Sequence, residues 1–196
     1  MDKSMLMQKL EDLKQKQQRV DEAWKKAGNK GLLEFLVDLI PRALGVERCS
    51  IFILDPVQDN VWLQCGTGLS EKQITVPKAG SLVGEVVSSG HFILEEDMEN
   101  HAGAHEYVSM QTGFIVHNAL CVPVHGVSVN RVTGAIQALN KNSRQGFTDE
   151  DRHLLEKLAF HLQMNIENIY LRQEMLKIST DLGKKIKMLE SKLTCA

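Results

Sequence analysis

The groups in this chain best suited to chemistry are four cysteines, Cys49, Cys65, Cys121 and Cys195, and seven histidines. A thiolate attacks electrophilic sulfur and a second thiol resolves the product, so two cysteines close in space could carry a redox step. Cys65 and Cys121 are the one pair whose settings allow it. No two cysteines have Cys-x-x-Cys spacing, which points to reduced thiols rather than a zinc ribbon or a disulfide framework. Cys121 lies inside an apolar run and Cys49 opens another, the surroundings of a buried structural thiol and not of a low-pKa nucleophile. Cys195 reads as a tail thiol. His101 and His105 have the i, i+4 spacing that places two ligands for a metal or haem on one helical face. Gly103 weakens a helix between them and only Glu106 is near enough to join them, so loop histidines are the simpler reading and no metal site is expected. His117, just before a strand pattern, suits a hydrogen bond at a pocket rim.

Other chemical signatures are missing. The chain has no Gly-x-x-x-x-Gly-Lys-Ser/Thr phosphate loop and no His-Glu-x-x-His helix, and Gly66-Thr67-Gly68 lacks the third glycine of a dinucleotide fingerprint, so it reads as a turn. With 23 basic and 25 acidic residues the formal charge is −2, far from the basic excess that broad nucleic-acid binding uses. The run Lys184-Lys185-Ile186-Lys187 lies among acidic neighbours and fits a solvated helix face. A length of 196 residues with 43% hydrophobic content suits one domain of ordinary size with helical extensions. No apolar leader and no run of about 18 apolar residues is present, so a cytoplasmic protein with no membrane partner is expected.

The elements that must position these groups follow from periodicity. Leu6, Leu10, Leu13, Val20 and Trp24 step by fours and threes through an otherwise charged stretch, a narrow seam that predicts a dimeric coiled-coil helix over residues 1–28. After Gly28-Asn29-Lys30-Gly31, the fuller stripe Leu32, Leu33, Leu36, Val37, Ile40 predicts a core-facing helix that Pro41 kinks or ends. The period then becomes two. Strands are expected at Cys49–Asp55, Val61–Cys65, Phe92–Leu94, Ala119–His125 and Val132–Leu139, with a short extended piece at Gln73–Pro77 and a short helix from Gly80 to Gly90. Polar residues from Glu95 to Gly113 suit a long loop or short helix over a pocket. Thr148 is the expected cap, with Asp151 three residues on, of a long final helix. Its seam runs through Leu155, Ala159, Leu162, Ile166 and Ile169, then after a phase shift through Met175, Ile178 and Leu182, and the second half needs a partner.

This order describes an α+β domain, a central antiparallel sheet with helices packed mainly on one face and long coiled-coil-type helices at both ends. Cys-Ser-Ile-Phe-Ile-Leu-Asp at 49–55, Ile-Thr-Val-Pro at 74–77, Gly-Ser-Leu-Val-Gly-Glu-Val at 80–86, Asn-Ala-Leu-Cys-Val-Pro-Val at 118–124 and Gly-Ala-Ile-Gln-Ala-Leu-Asn-Lys at 134–141 resemble the GAF domain family. The resemblance covers residues 30–170 and leaves 171–196 as a signalling extension. Asn140, Lys141, Phe147 and Asp151 resemble the signature of the cyclic-nucleotide phosphodiesterase and adenylyl cyclase type, with Arg152 in place of its final Glu. The resemblance implies that they form a clasp, Lys141 pairing with Asp151.

It also implies a regulatory, non-enzymatic module that binds a small molecule, with a cyclic nucleotide, cGMP or cAMP, as leading ligand. The positions matching the family's ligand contacts are Ser50, Cys65, Leu82, Val83, Thr112, Val116 and Gln137. Among these, Cys65 and Gln137 replace acidic residues and Val116 replaces a threonine. Backbone amides of Leu82 and Val83 at a helix start could hold a phosphate, and Thr112 with Gln137 could meet a guanine-like edge. A homodimer through Leu6, Leu10, Leu13, Val20, Trp24, Leu162, Ile166 and Ile169 would pass the signal to a partner protein. Two alternatives stand beside it: a ligand-free structural dimerisation domain, and a free methionine sulfoxide reductase like some small members of the family.

Overall fold

A computed structural model describes residues 29–194, apart from 59, 71, 72, 99–102 and 104, together with 8, 12 and 15. The seam residues Leu6, Leu10, Leu13, Val20 and Trp24, with His101 and Cys195, lie outside the described residues. In chain order the elements are α1 (Asn29–Leu44), β1 (Val46–Leu54), β2 (Asn60–Gly66), β3 (Thr75–Pro77), α2 (Leu82–Ser89), β4 (Ile93–Glu95), α3 (His105–Thr112), β5 (Ala119–His125), β6 (Val132–Lys141) and α4 (Asp149–Thr194). The strands form one six-stranded sheet in the order β3-β2-β1-β6-β5-β4. Every pairing is antiparallel.

Pro41 does not end α1. A proline lacks the N–H that would bond the carbonyl four residues back, here that of Val37. Thr67 supplies a donor instead: its Oγ1 lies 3.3 Å from the Val37 carbonyl oxygen and 3.1 Å from the Cys49 amide nitrogen, tying helix to strand. Gly45, with φ +62°, then turns the chain into β1.

The central strands are buried on both faces, so their side chains divide between two cores. Ile51, Ile53, Val122 and Ile136 pack under Leu33, Val37 and Ile40 of α1 and Leu155, Leu162 and Ile166 of α4. Phe52, Cys121, Ala135 and Leu139 pack against Val83, Val86 and Val87 of α2. The two long helices thus lie on one face and the short α2 on the other. The unbroken run Ile51-Phe52-Ile53-Leu54, rather than a clean alternation, is the sequence sign of this arrangement.

A correction concerns the final helix. Leu162, Ile166 and Ile169 are only 1%, 0% and 6% exposed within a single chain, so they form its own core and not a dimer interface. The helix runs unbroken from Asp149 to Thr194. Past Tyr170 its apolar residues turn outward, Ile178 being 59% exposed.

Two polar ties fix α4. Near its middle, the buried Glu167 carboxylate accepts hydrogen bonds from the amides of Val127, Ser128 and Val129 at 3.0, 2.9 and 2.8 Å and from the Ser128 hydroxyl at 2.7 Å. Burial raises the pKa of this carboxyl, but the four donors outweigh it and hold the group below its ordinary range. At its start, Thr148 and Asp151 cap reciprocally: the Thr148 amide donates to Asp151 Oδ2 at 2.9 Å and the Asp151 amide donates to Thr148 Oγ1 at 3.3 Å. The other carboxylate oxygen of Asp151 lies 2.8 Å from Lys141 Nζ, which also donates to the Leu44 carbonyl at the end of α1. Both side chains are largely covered, at 13% and 12% exposed. Phe147 is buried between them and the α1/α4 core.

Three predictions follow from this packing. A Cβ at Gly134 would lie 2.3 Å from the Phe52 carbonyl oxygen and 3.0 Å from Ile166. Gly134→Ala should therefore destabilise by about 2–3 kcal/mol, read as a fall of several degrees in Tm; an unchanged Tm would contradict this close approach. Asp151→Ala leaves Lys141 half-buried without its counter-charge and should lose about 2 kcal/mol in denaturant unfolding, with Lys141→Met/Asp151→Leu recovering part of the loss. For Asp151, burial raises the pKa, while the hydrogen bonds from Lys141 and Thr148 and the Lys141 charge lower it to a net value below the ordinary one. Its contribution is thus full at neutral pH and is lost as pH falls below about 4, so Asp151→Asn should flatten the stability profile in that acid window.

Candidate functional site

The second core is incompletely filled. Between the sheet, α2 and the segment after α3 lies a cavity of about 60 Å³ that opens to solvent. Its floor is Phe52 of β1 with Gln137 and Leu139 of β6. Ile74 and Val76 close one side, and Ser81, Leu82 and Val83 at the start of α2 another. Met98, Val108 and Val116 complete the wall.

Local sequence explains how α2 reaches this place. Ser81 is its N-cap: the hydroxyl accepts from the Gly84 amide at 3.1 Å and donates to the Pro77 carbonyl at 2.5 Å. Gly84 lies so close to Lys78 that a Cβ would stand 2.2 Å from the Lys78 carbonyl oxygen, so the first turn of the helix packs directly on the preceding loop. The first-turn amides at Leu82 and Val83 have no acceptor within the helix, and both residues are buried at the cavity wall.

Of the seven positions expected to contact ligand, Leu82, Val83, Val116 and Gln137 line the cavity. Ser50 stands directly opposite Gln137 in the β1–β6 register, on the same face of the sheet but further back beside Gly66. Thr112 is taken up in ending α3: its Oγ1 donates to the Val108 carbonyl at 2.8 Å and lies 3.4 Å from the Phe114 amide nitrogen. Cys65 is a correction, because it belongs to the core on the opposite face. The cause is a bulge. Ile51 pairs with Cys65 but Phe52 pairs with Leu63, so one extra residue in β2 reverses the side on which Cys65 emerges. Phe52, Ile74, Val76, Met98, Val108 and Leu139 were not singled out; the period-two phase shared by Ser50 with Phe52 and by Gln137 with Leu139 was the available signal.

The segment from Gly113 to Asn118 covers the cavity, and the Asn140 side chain bonds it at two points. Asn140 accepts from the His117 amide at 2.8 Å and donates to the Ile115 carbonyl at 2.9 Å and to Glu47 Oε2 at 3.1 Å. It does so from φ +57°, a left-handed conformation that asparagine tolerates better than most residues. The Arg48 guanidinium sits 3.8 Å above the Phe114 ring, a cation–π contact that holds the same segment.

Cys65 and Cys121 do not share a face of the sheet. Cys121 faces the cavity-side core while Cys49 and Cys65 face the other, and burial pushes the Cys49 and Cys121 thiols far up in pKa. Among the described residues, no group of three or more His, Cys, Asp or Glu side chains is arranged to hold a metal ion. No helix among them is long and apolar enough to cross a membrane.

The arrangement is shared with known structures. It is similar to a GAF domain from an Acinetobacter phosphoenolpyruvate-protein phosphotransferase, at TM-score 0.60 and 21% identity over 85% of this chain and 96% of that one. The corresponding domain from Coxiella burnetii matches at TM-score 0.63 and 21% identity over 86% and 96%. A type II free methionine-R-sulfoxide reductase from Thermoplasma acidophilum shares the fold at TM-score 0.57 and 12% identity over 73% and 95%. The GAF domain family model itself matches residues 29–168, most of the chain and all of the sheet, so the chain belongs to the GAF domain family, which includes regulatory sensor modules of signalling proteins.

Proposed function

We propose that this GAF domain is a non-enzymatic module that binds a small molecule in the cavity over Gln137 and passes its occupancy to the helices α1 and α4. The observation that carries this reading is the end of β6. Asn140 holds the cavity cover through His117 and Ile115, and the next residue, Lys141, holds the end of α1 and the start of α4 through Leu44 and Asp151. A cover that closes on ligand therefore shares two adjacent backbone units with both helices. Regulation requires two states of unequal ligand affinity, and a shift at this junction supplies the difference.

The recipient in this reading is a second copy of the chain and, through it, a signalling partner protein. Met175, Ile178 and Leu182 are exposed along α4 beyond the domain, and a helix with an uncovered apolar stripe is suited to pairing. A cyclic nucleotide, cGMP or cAMP, is the second reading of the ligand; the start of α2 at the cavity favours it, since helix amides accept a phosphate. The separation of Cys65 from Cys121 across the sheet weighs against a thiol reductase.

The test is a thermal-shift screen against cGMP, cAMP and a panel of metabolites, with oligomeric state measured alongside. A ligand at about one hundred times its Kd should add about 2.7 kcal/mol, a rise of roughly 5–10 °C for a chain of this size. Val116→Trp, which fills the cavity, should remove the rise. A dimer that responds to nothing in the panel would point instead to a structural dimerisation domain. Turnover of free methionine sulfoxide with a thiol reductant would overturn the non-enzymatic reading.

A further inference from the structure

Helix α4 carries two apolar faces, and the sheet takes only one of them. Leu155, Leu162, Ile166 and Ile169 face the α1/α4 core. On the same line of the helix beyond Tyr170 stand Gln173, Lys177, Thr180 and Lys184, so that face is polar once the sheet is passed. The opposite face behaves differently. Phe160, Leu171 and Leu182 follow one another at intervals of eleven residues, and so do Met164, Met175 and Ile186, with Ile178 between them. Eleven residues make almost three whole turns, so these positions form one nearly straight line along the outside of the helix. Phe160, Met164, Met175, Ile178 and Leu182 are between 39% and 65% exposed, while Leu171 and Ile186 are half-buried.

Between Phe160 and Leu171 the helix is thus apolar on both sides, the pattern of a helix lying between two packed layers. The line runs for about 39 Å at 1.5 Å per residue. A second helix of that length with the same period covers it fully, and another copy of α4 supplies one.

Two features fix how that copy lies. Over residues 156–183 the rows flanking the line differ in charge: one holds Glu156, Glu174 and Asp181, the other His161 and Arg172 and no acidic residue. Arg152 and Arg131 neutralise Glu156 and Glu174 only in part, from the edge of the row. Parallel helices set one row against the other, whereas antiparallel helices set the acidic row against itself. The second feature is Asn168, the one polar member of the line, exposed and without a hydrogen-bond partner among the described residues. Its amide both donates and accepts, so it can pair with its own counterpart when two copies are in register, and a lone asparagine in an apolar seam specifies register. An antiparallel pair centred on Asn168 would instead bring Ile178, Leu182 and Ile186 level with Lys157, His153 and Glu150.

We infer that α4 pairs with α4 of a second copy along residues 160–186, parallel and in register, with Asn168 meeting its counterpart at the axis. This rests on the reading of a second copy as recipient, and it extends the pairing from the free end of the helix onto the domain itself.

The experiment is oxidative cross-linking of the full chain carrying Cys195→Ser, in which the remaining native thiols, Cys49, Cys65 and Cys121, are buried. Met164→Cys on the domain and Ile178→Cys beyond it are introduced singly, with Lys184→Cys on the polar face as control; all three sites are exposed, so each variant should keep the parent Tm. Both line variants should form interchain disulfides under mild copper-phenanthroline oxidation, and the control should not. Equal yield at all three sites would overturn the choice of face. Cross-linking at Ile178→Cys alone would overturn the extension onto the domain, and at Met164→Cys alone the shared register; both leave the recipient reading intact. A dimer by light scattering with neither disulfide would overturn this line of pairing, whereas a monomer at micromolar concentration would overturn the recipient reading as well. Asn168→Leu should tighten the dimer about tenfold and lower the Met164→Cys yield as other registers compete. An unchanged yield would overturn the role given to Asn168.

Discussion

Strands β1 and β6 lie side by side at the centre of the sheet with both faces buried, and the rest of the molecule answers that constraint. Backbone groups in the two strands satisfy each other, but their side chains alternate toward two separate layers, each of which must be covered. One layer receives a helix of 16 residues and the first half of another of 46, which cover it. The other receives only the eight residues of α2, with α3 and the cover segment completing the wall. The cavity exists because this second layer is covered by short pieces with irregular backbone between them.

Irregular backbone must find its hydrogen bonds outside the ladder, and the polar residues of this domain are placed where that need arises. Thr67 reaches the carbonyl opposite Pro41, Glu167 gathers the amides of the β5–β6 turn, and Asn140 bonds the peptide groups of the cavity cover. These ties are strong because each is partly shielded from water, and removing one partner leaves the other unsatisfied. Their location has a functional side. The side chains that stabilise the cover and the two flanking helices stand next to each other in β6, so on the proposed reading the contacts that hold the fold are the ones a bound molecule disturbs.

The fold and the ligand are separate questions in such a domain. The sheet and its helices recur in proteins that share about one residue in five with this chain or fewer. Here nine of the eleven residues that line the cavity are apolar, and the start of α2 at Leu82 and Val83 lies on the same wall as Gln137.

Much of this was legible along the chain, because the relevant interactions are local or periodic. The strands at Ala119–His125 and Val132 onward follow from apolar runs bounded by turn residues, and the start of α4 follows from Thr148 and Asp151 three residues apart. The pairing of Lys141 with Asp151 spans only ten residues, and a motif could point to it. Quantities that depend on phase across the sheet were not legible. Strict alternation from Val61 and Leu63 would bring Cys65 to the cavity, and only the pairing of β2 with β1 reveals the bulge that turns it away. Nor does an apolar stripe say what will cover it. Leu162, Ile166 and Ile169 have the spacing of a seam, and the sheet of their own chain takes them, while Ile178 and Leu182 on the same helix lie beyond its reach. The sequence by itself determined which residues are apolar, where the chain turns and how the final helix begins, since these are properties of neighbours in the chain. Which face each side chain joins, and therefore that Gln137 meets the cavity while Cys65 does not, was decided by the tertiary structure, because it depends on the register between strands distant in sequence.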